Sequence, residues 1–118
     1  MPRNMSFALT TEQIRDRSKT ETRRVGWGRL RPGEQFWAVV KAQGLKKGEK
    51  IERIALLECV TNNREWLTAM TPAACRREGF PDMTPAEFIE MFCRNMNIGQ
   101  QREINVIRFK YIDGPPAP

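Results

Sequence analysis

The sequence predicts a small α+β fold: a curled β-sheet carrying two to four short helices between its first and last strands. Three observations point there. Runs of β-forming residues lie near both ends, two sharply capped helices sit between them, and 118 residues fill one domain, 1–118, without room for a second. The working part spans about residues 5–112, followed by a Pro-rich tail at 113–118 that cannot extend a sheet and is expected to be flexible.

Met5–Leu9 reads as a first strand. Thr10, with Gln13 three residues on, starts a helix of about two turns ending near Ser18. Gly26, Gly28 and Arg31-Pro32-Gly33 punctuate a loop, and the β-formers of Gln35–Lys41 make the next strand. Ile51–Val60 is a long, mostly apolar strand that bends or continues past Thr61. Thr71-Pro72 then places a capping hydroxyl before a proline at the first helical position, and Gly79 stops that helix. Thr84-Pro85-Ala86-Glu87 adds a full capping box, after which Phe88, Ile89, Phe92, Cys93 and Met96 share one helix face, the pattern of a core stripe. Ile104–Ile112 is the last strand. Its pairing with the first strand would close the sheet into a barrel.

Composition excludes several kinds of chemistry. With no histidine, Ser-His, Cys-His and His-metal sites are absent, and catalysis must rest on Lys, Arg, Glu, Asp, Thr, Ser, Tyr or Cys. Cys59, Cys75 and Cys93 are widely spaced and odd in number, so they read as small buried hydrophobes in a reducing compartment. No metal site and no cofactor are expected. No apolar run approaches membrane-spanning length and the N-terminus lacks an apolar signal core. The expectation is therefore no membrane partner and a cytoplasmic location.

The net charge of +6 is unevenly spread: residues 1–53 balance to +7 and residues 54–118 to −1. Between Arg15 and Arg31 seven cations (Arg15, Arg17, Lys19, Arg23, Arg24, Arg29, Arg31) face only Asp16 and Glu21. Such a segment attracts phosphates, and the planar forks of arginine suit bidentate phosphate contacts and stacking on bases. A nucleic acid, RNA or DNA, or a nucleotide-like ligand is the expected partner, for a monomer or weak dimer. Trp27, flanked by glycines inside this segment, is the best stacking candidate. Trp37 belongs to a strand and to the core, and Trp66 is open to either role.

Within Ser18–Arg24, hydroxyls alternate with cations. Lys19 and Thr22 lie three apart, so one tight turn would bring them to the same side. A lysine withdrawn from water holds its proton weakly and can take one from a neighbouring hydroxyl, which makes Lys-Thr a nucleophile pair that needs no histidine. Thr22 is equally suited to forming a turn.

Lys19-Thr20-x-Thr22-Arg23-Arg24 resembles the G-x-K-T-x-T-x-R motif of ASCH-domain proteins, members of the PUA-like superfamily. Arg31-Pro32-Gly33-Glu34 is similar to that family's K-P-G-D step into the next strand, and the segment from Pro72 to Phe80 to its D-A-x-x-E-G-F helix end. The order of these blocks matches over about residues 5–112. Two positions depart from the pattern: Arg17-Ser18 replaces the glycine before the lysine, and Ala73-Ala74 stands where an aspartate is common. The resemblance implies a small PUA-like β-barrel with a basic cleft for RNA or nucleotide ligands. It further implies an amidohydrolase of N4-acetylcytidine in which Lys19 is the general base, Thr22 the nucleophile and Glu78 the residue that orients the amide or protonates the leaving nitrogen. Arg17, Arg23, Arg24, Trp27, Arg29 and Arg31 would then bind the ligand. A glutamate in the last turn before Gly79 opposes the helix dipole, which favours a functional Glu78, although Arg76 and Arg77 are close enough in sequence to pair with it. A ribonuclease, a non-catalytic RNA- or DNA-binding module, and an accessory protein whose basic face grips an acidic host protein stand as alternatives.

Overall fold

The computed structural model describes residues 2–42 and 44–112; the tail at 113–118 lies outside the described residues. Five strands form one sheet in the order β1-β3-β4-β5-β2: β1 (Arg3–Ser6), β2 (Glu21–Arg24), β3 (Gln35–Val39), β4 (Arg53–Trp66) and β5 (Glu103–Tyr111). The helices are α1 (Thr11–Arg15), α2 (Pro72–Arg77) and α3 (Pro85–Met96), with short 3-10 turns at Ala8–Thr10 and Leu67–Ala69. This is the expected α+β arrangement, a curled half-barrel. The last strand pairs with β4 and β2, whereas β1 pairs in parallel with β3. Expected closure through the two terminal strands is therefore replaced by an open seam between β1 and β2.

The sheet divides two cores. Alternation along β5 sends Ile107 and Phe109 to one side, with Met5, Phe7, Phe36 and Leu57, and Ile104 and Val106 to the other, against Leu67, Cys75, Phe88 and Phe92. Strand β4 runs through Thr61 as a single 14-residue element because the register shift between Cys59 and Thr61 absorbs its bend. Both central helices start where the caps place them. The Thr71 side chain accepts from the Ala74 amide, and Thr84 and Glu87 form the reciprocal capping box. Among the described residues no helix is long and apolar enough to cross a membrane.

The N-terminal third departs most from expectation. The first strand ends at Ser6 because Ala8–Thr10 winds into a 3-10 turn, and α1 has only five residues with no side-chain cap from Thr10. Arg17 holds φ 64°, the left-handed conformation that glycine adopts cheaply, at the place where the resembled motif carries its glycine. The segment read as a turn is instead strand β2, antiparallel to β5, with Thr22 opposite Ile107 and Arg24 opposite Asn105.

Candidate functional site

Three backbone hydrogen bonds and one from a side chain bring the site's polar floor together around Lys19 and Thr20. The Lys19 amide donates to the Gln13 carbonyl of α1 at 3.2 Å, and the Thr20 amide to the Arg77 carbonyl of α2 at 2.8 Å. From β5, the Phe109 amide donates to the Thr20 carbonyl at 3.1 Å and the Tyr111 hydroxyl to the Lys19 carbonyl at 2.7 Å. Gly79, at φ +96°, turns the chain at the end of α2 so closely past α1 that a Cβ there would lie 2.8 Å from Gln13 Cγ. Gln13 Nε2 in turn donates to the Gly79 carbonyl. These ties deliver Glu78, the C-cap of α2, to the side of Lys19.

Lys19, Thr22 and Glu78 are 2%, 2% and 3% exposed. Lys19 Nζ donates to Glu78 Oε1 at 2.6 Å and to the Glu78 carbonyl at 2.8 Å. Arg23 Nη1 donates to Glu78 Oε2 at 3.1 Å and to Glu21 Oε2 at 2.6 Å. The fully buried Glu21 also accepts from Arg77 and Arg108, each at 3.0 Å. Arg77 therefore serves Glu21 and not Glu78, contrary to the pairing its sequence neighbourhood suggests. Among the described residues no buried side-chain nitrogen or oxygen lacks a partner, so the ionic network is fully satisfied.

Desolvation pulls the Lys19 ammonium below its ordinary 10.5 in spite of the opposing Glu78 charge. Desolvation likewise lowers Arg24 to about 10. Burial pushes the Glu21 carboxyl up, but Arg23 and Arg77 outweigh it and the net displacement is downward. The combination is a lysine with a weakened hold on its proton, in one buried network with a Glu21 carboxyl that its arginines hold below the ordinary range.

All three residues line one cavity of about 260 Å³, together with Arg23 and Arg24. The cavity lies in the seam: one wall is the Ser6–Thr10 segment, which begins at the last residue of β1, and the floor is β2 and Glu78. The opposite wall is apolar, built from Phe80, Phe88, Met91, Phe92 and Met96. The face of α3 that reads as core in sequence is core at Phe88, Ile89 and Phe92, and Phe88 and Phe92 line the cavity as well, a double role the 3.6-residue period alone does not report. Arg24 Nε donates to Thr22 Oγ1 at 3.1 Å, with its guanidinium 4.6 Å from the Phe7 ring centre.

The other ligand-binding candidates are not among the residues that line this cavity. The Arg17 guanidinium lies 4.9 Å from the Tyr111 ring centre, and Arg29 and Arg31 are exposed on the loop after β2. Trp27 is half-buried against the Phe36 core, with Arg3 4.3 Å above its ring, which occupies the surface a base would stack on. Glu21 is the participant that sequence reasoning missed. Its signal was the period-two split of β2, with Glu21 and Arg23 on one face and Thr22 and Arg24 on the other.

No protein-family model matches the sequence, and no curated protein matches it. Solved structures do. A crystal structure of an Enterococcus faecalis V583 protein of the DUF984 family superposes with TM-score 0.67 at 12% identity, over 96% of this chain and 77% of that one. The ASCH domain from Lactobacillus crispatus JV V101 superposes with TM-score 0.65 at 14% identity, over 92% and 78%. At such identities the likeness is one of fold. The half-barrel with its seam between β1 and β2 is an ASCH-like fold.

Proposed function

We propose that the seam cavity binds a nucleobase and hydrolyses an acyl-amide on it, of the N4-acylcytidine type. One observation carries the reading: Lys19, Thr22 and Glu78, drawn from two distant parts of the chain, line the same largely apolar cavity with the lysine desolvated. A volume of about 260 Å³ lies just below the usual range for small-molecule sites, which suits one base and its acyl group and excludes a duplex. The aromatic wall of Phe80, Phe88 and Phe92 takes a planar ring. As an edge strand, β2 turns one row of backbone N–H and C=O groups away from β5, a ready partner for the hydrogen-bonding edge of a base.

With Lys19 neutral, its two N–H bonds remain on the Glu78 carbonyl and Oε1, and the nitrogen lone pair accepts the Thr22 proton as Thr22 Oγ1 attacks the acyl carbon. The carbon–nitrogen bond breaks, and Lys19 passes that proton to the departing exocyclic nitrogen. Water then cleaves the acyl-threonine ester and restores the hydroxyl, releasing the free nucleoside and a carboxylic acid. Glu78 orients Lys19, and Arg24 steadies Thr22.

A second reading, binding without turnover, has its own support. Thr22 Oγ1 accepts from Arg24, and no Lys19–Thr22 hydrogen bond is present among the described residues. Incubation with N4-acetylcytidine and chromatography of released cytidine decides between the two. Turnover by the wild type that Lys19→Met abolishes supports hydrolysis. Saturable binding with no cytidine released selects the binding module.

A further inference from the structure

A second groove opens on the sheet face that carries Thr22. Among its lining residues are Gly26, Gly28, Arg64, Trp66, Arg102 and Asn105. Strand register places it on the same face of the sheet as Thr22 and Arg24 of the seam cavity. Arg24, which lines the cavity, is opposite Asn105, and Asn105 is opposite Arg64, so three side chains form one row across β2, β5 and β4. Trp66 is opposite Glu103, four residues along β5 from the partner of Thr22. With a rise of about 3.3 Å per residue and strands about 4.8 Å apart, Trp66 lies roughly 16 Å from Thr22 along the sheet. A single nucleoside does not span that distance, whereas a short strand does.

The groove's chemistry suits such a strand. Trp66 is 54% exposed. Arginine guanidiniums cover the rings of Trp27 and Trp37, but among the described residues no cation or aromatic ring stacks on Trp66. Arg102 forms no ion pair among the described residues, and Arg64 has only a 4.0 Å contact with Glu103. An uncovered indole between under-neutralised arginines is the combination that grips unpaired nucleotides, with stacking on the base and cations along the phosphates. The glycines at 26 and 28 keep the opposite wall low.

We propose that this groove is a second nucleotide subsite, and that the protein's ligand is single-stranded RNA with one base in the seam cavity and a neighbouring base stacked on Trp66. The inference rests on the assignment of the cavity to a nucleobase and extends the substrate from a free nucleoside to a strand.

The test is fluorescence anisotropy with a labelled single-stranded oligoribonucleotide, comparing wild type, Trp66→Ala, Trp66→Phe and Arg102→Gln, each checked for an unchanged thermal transition. Trp66→Ala should weaken binding about 5- to 150-fold and Trp66→Phe should restore most of it. Arg102→Gln should reduce the slope of log affinity against log salt by about one. Equal affinities of wild type and Trp66→Ala would overturn the proposal, as would a duplex binding as tightly as the single strand, or displacement by a poly-glutamate peptide at equal charge. Cytidine release from the free nucleoside by wild type is scored separately, so failure of the groove and failure of the cavity chemistry are distinct outcomes.

Discussion

Replacing Glu78 by Gln probes the buried network with little change of shape. Lys19 would keep the Glu78 backbone carbonyl but lose its carboxylate partner at 2.6 Å, while Arg23 keeps Glu21. Removing one member of a buried ion pair costs about 3–5 kcal/mol, and the isosteric amide places this change near 3 kcal/mol. For a chain of this length that is a fall in Tm of about 10–15 °C. Lys19→Met should cost less, about 2 kcal/mol or under, because Glu78 still has Arg23. The two variants also differ in pH dependence. Desolvation already lowers the Lys19 pKa, and loss of the opposing Glu78 charge lowers it further. Between that folded value and 10.5 the unfolded chain holds a proton that the folded one lacks, so stability rises with pH by up to about 1.4 kcal/mol per unit. Glu78→Gln should therefore recover stability relative to wild type as pH rises from neutral towards 10.5, and Lys19→Met should not. Urea denaturation followed by circular dichroism across that range measures both effects. Parallel curves for Glu78→Gln and wild type, or equal midpoints, would refute the electrostatic account.

Glu21 should control the acid limb. Its folded pKa lies below the ordinary 4.5, so its contribution is complete above that value and is lost as pH falls through the lowered one. Glu21→Gln should flatten the fall in urea midpoint below pH 4.5 while lowering the midpoint at neutral pH. Gly79→Ala should destabilise by about 2 kcal/mol, since it combines a positive φ with a Cβ driven into Gln13, and chemical denaturation reads the loss. Thr84→Ala removes the capping box of α3 and should cost about 1 kcal/mol in the same assay.

Sequence legibility followed local chemistry. Strands β3 and β5 announced themselves by β-branched and aromatic content. Helices α2 and α3 did so through Thr-Pro starts, because a hydroxyl cap and a fixed φ act within one turn. Strand β2 was hidden because Glu21, Thr22, Arg23 and Arg24 carry no apolar pattern. Glu21 and Arg23 are buried by pairing with Arg77, Glu78 and Arg108 from distant parts of the chain, and no local period reports that. The same non-locality hid the role of Glu21 and the apolar wall of the cavity. Glu78 and Thr22 stood out through the motif resemblance. Trp27, promising for its glycine neighbours, is covered by Arg3, whereas Trp66, open to either role, is the exposed ring.

The most direct measurement is the mass of protein quenched during turnover of N4-acetylcytidine, followed by peptide mapping. An acetyl group on the peptide that contains Thr22, retained in Thr22→Ser and missing from Thr22→Val along with cytidine release, is the predicted result. Cytidine release by Thr22→Val at the wild-type rate would contradict the account.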